Sequence, residues 1–345
     1  MLKVFAFSLI SSIIFTWAAM WVAGKFGILD YPDERKVHLK PTPLLGGLAV
    51  FGAFALAIVF NYRFSLQLKG IMIGSSIILL AGLIDDVKEL SAFIRLIVQI
   101  ICALTVVACG VHIKVFTSCA SIEAVLTVLW IVGITNAMNF IDGLDGLAAG
   151  ITAIAAGTFS IIACQTNQVY FSFLTLALTG ACLGFLVFNF HPAKIFLGDA
   201  GSSFIGFTLA SLAVMGDWSA NSPVVALSVP LLILSILIFD ITYISISRVY
   251  QGKVKTFKEW IEYVGRDHLH HRLMALGLTT VQSVLFIYLL STVFAVSALV
   301  LRHATHYEAL LLLIQDALIL LIVTVLMVVG KENLDKNKDI NEATE

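Results

Sequence analysis

Long apolar runs recur along almost the whole chain, and they constrain its fold more than any other feature. A membrane-spanning helix needs about 20 mostly apolar residues. Eleven segments reach or approach that length, at residues 4–23, 46–61, 70–84, 93–111, 120–136, 147–164, 169–188, 202–215, 223–246, 280–300 and 307–329. The sequence therefore predicts an all-α, polytopic integral membrane protein with about eleven transmembrane helices.

The composition agrees with a membrane protein. Of the 345 residues, 59% are hydrophobic and only 12% are charged, whereas a soluble domain has roughly 45–50% apolar and about 25% charged residues. We see no repeat and no soluble domain, so residues 1–330 are predicted to form a single transmembrane domain. Residues 331–345 are polar and are predicted to be a disordered tail. The first run lacks a cleavage site before Lys25 and is interpreted as a retained helix.

The distribution of basic residues predicts the orientation. Eleven helices place the two termini on opposite sides of the membrane. One set of loops, with the C-terminal tail, carries sixteen Lys and Arg residues, and the other set carries five. The positive-inside rule then places the N-terminus outside and the C-terminus in the cytoplasm. We expect a multi-pass protein of the inner (cytoplasmic) membrane.

Charge and cysteine content exclude other classes. A net charge of −1 gives no field for nucleic-acid binding. The five cysteines include no CxxC pair and mostly lie in apolar runs, so they are interpreted as buried small side chains and not as a disulfide framework or a zinc site.

Two adjacent carboxylates, Asp85 and Asp86, end the third apolar run. Such neighbours repel, and the pKa of one of them rises unless a cation lies nearby. A divalent metal or a basic phosphate-binding group would relieve the repulsion. The alternative is a solvated acidic pair at the start of the next helix.

A second polar group follows the fifth run. Amides and carboxylates recur there at every third residue: Asn136, Asn139, Asp142 and Asp145. Gly143 and Gly146 are expected to interrupt the helix, which would let these side chains face one way. They have no basic residue among them and so require a cation or donor from elsewhere. The alternative is a turn whose polar side chains cap backbone groups.

A third acidic position, Asp199, lies between Gly198 and Gly201 at the start of the eighth run. Glycine lets the backbone approach a ligand closely, and a helix N-terminus attracts phosphate. An aspartate there can bridge a metal to that phosphate. Alternatively, it only caps the helix.

Two clusters of side chains that can donate hydrogen bonds to phosphate lie on the same predicted membrane face. They are His268, His270 and His271 in the fifth cytoplasmic loop, and Arg35, Lys36 and His38 in the first. The histidines lie among arginines and lack the further motifs of zinc or iron sites, so we favour anion binding. A solvated loop and a positive-inside anchor are the respective alternatives. Within the membrane, Asp240 near the cytoplasmic end of the ninth run is a further functional candidate.

Five stretches, in this order, resemble a known family: residues 35–47, 85–86, 136–147, 196–202 and 268–272. They are similar to those of the polyprenyl-phosphate N-acetylhexosamine-1-phosphate transferases, the glycosyltransferase family 4 superfamily. The last stretch is more similar to the GlcNAc-1-phosphate branch than to the P-x-H-H-H motif of the phospho-MurNAc-pentapeptide translocases. It departs from the usual D-x-x-H-x-H-H spacing, because Asp267 directly precedes His268.

The resemblance implies a phosphoglycosyl transferase. It would move a sugar 1-phosphate, with GlcNAc-1-phosphate favoured, from a UDP-sugar to undecaprenyl phosphate and release UMP, which starts a lipid-linked cell-envelope glycan. The family implies Mg²⁺, with Mn²⁺ as an alternative, an active site that faces the cytoplasm, and a homodimer.

The resemblance also implies roles for individual residues. Asp199 would be the metal ligand, and Asp85 and Asp86 would be catalytic, close to the attacking lipid phosphate. The other groups would bind substrate. The nucleotide sugar would contact Asn139, Asp142 and Asp145. The phosphate groups would be held by His268, His270, His271, Arg35, Lys36 and His38.

Two other functions fit the composition less well. An aspartate-rich intramembrane prenyltransferase would need spaced D-x-x-D motifs, which the stretch 85–89 imitates poorly, and it would leave the histidine loop unexplained. A secondary transporter would place charges near the middle of the bilayer and often has inverted repeats.

Overall fold

The computed structural model describes residues 1–32, 40–61, 65–114, 119–218, 222–263, 265 and 267–342. In that part of the chain the structure is almost wholly helical. Its elements are α1 (Leu2–Phe26), β1 (Leu29–Asp30), β2 (Thr42–Pro43), α2 (Gly46–Asn61), α3 (Leu66–Lys88), α4 (Ala92–Ala108), α5 (Ala120–Ile141), α6 (Leu147–Gln165), α7 (Val169–Asn189), α8 (Gly198–Met215), α9 (Pro223–Ile233), α10 (Ser235–Tyr250), α11 (Phe257–Glu262), α12 (Leu269–Ala275), α13 (Thr280–Leu301) and α14 (His306–Glu342).

The prediction of an all-α polytopic membrane protein is confirmed. Of the described helices, seven are long and apolar enough to cross a membrane, and an eighth span is formed if α9 and α10 count as one helix bent by 79°. The shorter apolar helices α2 and α4 also match predicted runs. The count of eleven spans, the side on which each terminus lies and the division at residue 330 stay predictions.

The contact between α1 and α7 is packed through small residues and hydroxyl groups. The Ser8 and Ser12 hydroxyls of α1 donate to the carbonyl oxygens of Ala177 and Ala181 on α7, each at 2.6 Å. A Cβ added at Gly184 would collide with the Leu9 carbonyl oxygen. Lipid gives apolar helices little hydrophobic reason to associate, so close contact and hydrogen bonds are what hold such pairs together.

The helix ends that carry the polar loops gather at one end of the bundle, which we call the site face. Hydrogen bonds join the last turn of α3 to the starts of α4 and α8, and the end of α5 to the start of α8. Others join the start of α6 to the end of α7 and to α13. The prediction that polar groups from distant loops share one face agrees with this arrangement.

Main-chain hydrogen bonds join residues 43–47, which lead into α2, to residues 196–197, which lead into α8. Leu29 of β1 lies opposite Pro43 of β2 in an antiparallel pair. The Pro43 carbonyl oxygen then accepts from the Phe196 N–H at 2.8 Å. Gly46 N–H and Gly47 N–H donate to the carbonyl oxygens of the 196–197 segment at 3.0 and 2.8 Å. The start of α2 is thereby held beside the start of α8.

Candidate functional site

Asp85 closes the turn between α3 and α4. Its side chain is buried, and its Oδ1 accepts the Leu90 backbone N–H at 2.6 Å. Its Oδ2 lies 3.1 Å from Arg95 Nη1. One oxygen of this carboxylate therefore has a partner in the connection between α3 and α4, and the other has a partner in the first turn of α4.

Asp86 binds the first turn of α8. Its Oδ1 accepts the Asp199 N–H at 2.8 Å and its Oδ2 accepts the Ala200 N–H at 3.4 Å. A helix N-terminus has unpaired N–H groups and a partial positive charge, which a carboxylate satisfies. Gly198 has a φ of 74°, and a Cβ there would lie 2.7 Å from Asp86 Oδ2, so this position requires glycine for two reasons.

Asp199, in the first turn of α8, contacts side chains of both α4 and α5. Its Oδ1 accepts from Asn139 Nδ2 at 2.9 Å, and its Oδ2 lies 3.6 Å from Arg95 Nη1. Asn139 Nδ2 also donates to Ser202 Oγ at 2.9 Å. Arg95 Nη1 is therefore within ion-pair distance of both Asp85 and Asp199, which brings residues far apart in sequence to one point.

Asp142 follows the last residue of α5 and adds a further carboxyl group. Burial, reinforced by the neighbouring carboxylates Asp199, Asp86 and Asp145, raises its pKa to about 8. Acids crowded in this way repel when ionised, and a cation in their midst would lower that cost.

The donors near Asp142 and Asp199 suit a hard divalent cation. Carboxylate and amide oxygens are the ligands that Mg²⁺ prefers, and Mg²⁺ usually takes one or two protein carboxylates plus water and substrate phosphates. In the described part of the chain, no three acidic, His or Cys side chains form a complete metal cage. A site completed by a phosphorylated substrate fits these residues.

Asp145 is engaged in local structure. Its Oδ2 lies 2.7 Å from His191 Nδ1 and accepts the Ala193 N–H at 3.0 Å. The adjacent Gly146 N–H donates to Asn189 Oδ1 at 3.0 Å. Asp145 thus ties the start of α6 to the loop between α7 and α8, and its predicted contact with a nucleotide sugar stays a prediction.

The histidine loop is anchored by Asp240 on α10. Asp240 Oδ2 lies 2.7 Å from His268 Nδ1, and its Oδ1 accepts the Leu269 N–H at 2.8 Å. Both side chains are buried. A carboxylate at Nδ1 fixes the ring orientation and leaves Nε2 for another partner.

His270 lies at the centre of the same loop. It is buried, and neither ring nitrogen has a hydrogen-bond partner among the described residues. Burial, with the neighbouring His271 and His268, holds its pKa well below the usual value, so the ring is neutral. A Cβ on Gly143 would collide with His270 Nε2, which shows how closely this loop approaches the Asp142 turn.

Arginines on the inner side of the loop hold its shape. Arg248 donates to both oxygens of Asp267, at 2.8 Å from Nε and 2.6 Å from Nη2. Burial alone would raise the pKa of Asp267, but the Arg248 guanidinium outweighs it and holds the pKa below the usual value. The buried Arg272 donates to the carbonyl oxygens of Asp267 and Met327, both within the protein.

The structure brings most of the predicted site residues together. Asp85 and Asp199 meet at Arg95, and Asp142 is close enough to Asp199 and Asp86 for their charges to raise its pKa. The histidine loop approaches the Asp142 turn where His270 lies against Gly143. Arg35, Lys36 and His38 lie outside the described residues.

Sequence reasoning missed Arg95, which it counted only as a topological charge, and the capping role of Asp86. It noted Asp240 without its histidine partner. A lone arginine near the start of an apolar helix was the signal available for Arg95.

Comparison with known proteins gives concordant matches. A family model described as glycosyl transferase family 4 matches residues 68–217. A probable undecaprenyl-phosphate N-acetylglucosaminyl 1-phosphate transferase of Bacillus subtilis (strain 168) is 38% identical over 318 residues, which cover 90% of this chain and 87% of that protein.

Two further relatives extend the range. A decaprenyl-phosphate N-acetylglucosaminephosphotransferase of Mycolicibacterium smegmatis is 36% identical over 321 residues, covering 81% of this chain and 78% of that protein. A phospho-N-acetylmuramoyl-pentapeptide-transferase of Halalkalibacterium halodurans is 35% identical over 219 residues, covering 55% of this chain and 66% of that protein.

Proposed function

The chain belongs to glycosyl transferase family 4, and from that membership we propose that it transfers N-acetylglucosamine 1-phosphate from UDP-N-acetylglucosamine to undecaprenyl phosphate. UMP is the second product. The observation that carries the proposal is the convergence of Asp85, Asp86 and Asp199 on Arg95 and the start of α8. The sugar and the lipid are those in the name of the Bacillus subtilis relative, which aligns over most of both chains.

The acidic and amide side chains of the site could hold a cation that neutralises the charge of a nucleotide diphosphate sugar. Phosphoryl transfer requires positioning and charge neutralisation more than covalent help from the protein. Asp199 Oδ2 and the Asp142 carboxyl would hold Mg²⁺, which when bound supplies charge neutralisation of the diphosphate. Asn139 orients Asp199 through its 2.9 Å hydrogen bond to the other carboxylate oxygen.

Arg95 is suited to meet the lipid phosphate. A cavity of about 20 Å³ opens beside it, and its lining includes the polar residues Asp85 and Gln99 and apolar residues such as Ile78 and Val98. Its side chain is 39% exposed, on the same helix as the outward-facing Phe93 and Ile97. A phosphate group on a lipid tail likewise combines a charged group with an apolar chain.

Direct displacement is the mechanism that this geometry supports. A phosphate monoester is mostly a dianion at neutral pH, since its second pKa is about 6, so the acceptor needs little deprotonation. An oxygen of the lipid phosphate attacks the β-phosphorus, a new P–O bond forms, and the bond to UMP breaks. Asp85 and Asp86 are both engaged by protein donors, which favours positioning roles for them over an aspartyl-phosphate intermediate.

We further propose that the site face is cytoplasmic and that the membrane is the inner membrane. The support is the excess of Lys and Arg in the loops that belong to the site face. A homodimer remains the expectation from the family resemblance.

The test is an assay of UMP release by the purified full-length protein with undecaprenyl phosphate, Mg²⁺ and UDP-N-acetylglucosamine. Asp199→Asn should abolish lipid-dependent release, while Asp217→Asn, the same change on the exposed loop after α8, should leave it unchanged. Release with another UDP-sugar only would keep the reaction class and change the donor. No release with any UDP-sugar, from protein that unfolds cooperatively, would refute the proposal.

A further inference from the structure

The short helix α11 lies along the side of α10. Its Trp260 Nε1–H donates to Ser245 Oγ on α10 at 2.9 Å. Ser245 lies about one and a half turns before the last residue of α10. The segment that joins the two helices therefore turns back, and α11 lies level with the last turns of α10 and not beyond them.

At that level an apolar surface is uncovered. The exposed fractions are 65% for Ile246, 61% for Val249 and 92% for Tyr250 on α10, and 69% for Phe257 at the start of α11. The Phe257 ring stacks on Trp260, with ring centroids 6.1 Å apart. Aromatic side chains of this kind are enriched where a membrane meets water. Val249 and Tyr250 follow Ile246 by three and four residues and so lie with it on one face of α10.

Basic side chains border this surface. Lys253, Lys255 and Lys258 are all exposed. Of the two nearby acids, Glu259 accepts the Lys255 backbone N–H at 2.8 Å, and Glu262 lies 4.0 Å from Lys258. Within the described residues, neither Lys253 nor Lys255 has an ion-pair partner. Long lysine stems cover apolar surface while their ammonium groups reach a polar layer.

We propose that the segment Tyr250–Glu262 is an interfacial anchor that binds anionic phospholipid headgroups of the leaflet at the site face. Tyr250 and Phe257 insert at the level of the ester groups, and the lysines contact lipid phosphates. The inference requires only that the bent pair of α9 and α10 crosses the membrane, and it goes beyond the proposed transfer reaction. The anchor leads directly into the loop that begins at Asp267, so it fixes the depth of the histidines relative to the lipid phosphates.

The test measures where Trp260 lies. The full-length protein is placed in nanodiscs that contain either brominated phosphatidylcholine or brominated phosphatidylglycerol at the same mole fraction. The Trp260 fluorescence is the difference between the native protein and a Trp260→Phe variant, which keeps an aromatic ring beside Phe257. We expect both lipids to quench this difference signal, with stronger quenching by the phosphatidylglycerol.

A charge-matched pair of variants tests the lipid preference. Combined Lys253→Gln, Lys255→Gln and Lys258→Gln should remove the difference between the two lipids. The same three changes at Lys3, Lys69 and Lys114, which lie on the opposite predicted side, should retain it. Quenching by aqueous acrylamide but not by either brominated lipid would overturn the anchor and leave the surface for a soluble partner. Equal quenching by the two lipids in the native protein would overturn the proposed headgroup preference.

Discussion

Replacing Asp240 by asparagine is expected to lower kcat/KM of the transfer reaction while the protein stays folded. In the native protein one carboxylate oxygen lies 2.7 Å from His268 Nδ1, and the other accepts the Leu269 N–H at 2.8 Å. Asparagine has the same shape but only one acceptor oxygen. If that oxygen keeps the Leu269 N–H, the amide NH₂ faces His268 Nδ1 and drives the ring into the tautomer that carries its proton on Nε2.

The size of the loss in kcat/KM follows from the hydrogen bond between Asp240 and His268 that the substitution changes. A hydrogen bond to a charged group contributes about 1.5–3 kcal/mol, and each 1.4 kcal/mol of transition-state free energy is about tenfold in rate. The expected loss in kcat/KM is therefore about tenfold to a hundredfold. Asp240→Ala should cost more, because it also leaves the buried Leu269 N–H unpaired.

The assay is the initial rate of lipid-dependent UMP release, together with the thermal unfolding midpoint of each variant. The matched control is Glu123→Gln, since Glu123 Oε2 lies 3.7 Å from His112 Nε2 at the opposite end of the bundle. ¹⁵N NMR of labelled histidine side chains reports the tautomer directly. In a double-mutant cycle, Asp240→Asn should add little to the loss caused by His268→Gln.

Two results would refute this reasoning. One is a kcat/KM for Asp240→Asn equal to that of the native protein. The other is a double variant whose loss equals the product of the two single losses, because the carboxylate would then act independently of His268.

Three further outcomes are expected. The Mg²⁺ concentration for half-maximal rate should fall as the pH rises toward about 8, since burial and neighbouring carboxylates raise the pKa of Asp142 to about 8 and its proton must leave before a cation binds; Asp142→Asn should flatten this dependence, and a flat native profile would contradict it. Asp86→Asn should lower kcat by about tenfold or more, measured as UMP release, because the amide can accept only one of the N–H groups of Asp199 and Ala200. Arg248→Lys should lower the free energy of unfolding by about 1–3 kcal/mol, because lysine can keep only one of the two hydrogen bonds to Asp267, and the thermal unfolding midpoint should fall with it. Because the pKa of Asp267 is held below its usual value, this stabilisation is present above the ordinary carboxyl pKa and is lost as the pH falls through the lowered value, so the native and variant midpoints should converge in acid.

The helices could be predicted because the bilayer imposes one simple rule on sequence. Each predicted apolar run coincides with helix, from 4–23 within α1 to 307–329 within α14, although the run 93–111 extends three residues past the end of α4. The run 223–246 is the exception in shape, since it divides into α9 and α10 with a 79° bend after Ile233. Both halves are apolar, so hydropathy contains no signal for the break.

The members of the site could be predicted from their residue types, but their pairings could not. Asp85 and Asp86 are adjacent in sequence, yet successive side chains on a helix point about 100° apart. One therefore reaches Arg95 on α4 and the other reaches the start of α8. The bond between Asp240 and His268 joins two elements whose separation in space is set by the whole bundle. A single sequence contains no direct record of such distances.

The backbone bridge between residues 43–47 and 196–197 has a consequence for which substitutions the protein can accept. Leu45 and Leu197 along it are buried and limited by packing, but main-chain N–H and carbonyl groups form its hydrogen bonds, so a change of side chain at a partly exposed position such as Leu44 removes none of them. Glycine is the exception, because a methyl group on Gly47 or Gly201 would enter the backbone of the other helix. Sequence drift in this region should therefore be limited at the glycines by the spacing between two backbones and at Leu45 and Leu197 by burial, with a wider choice at the partly exposed positions.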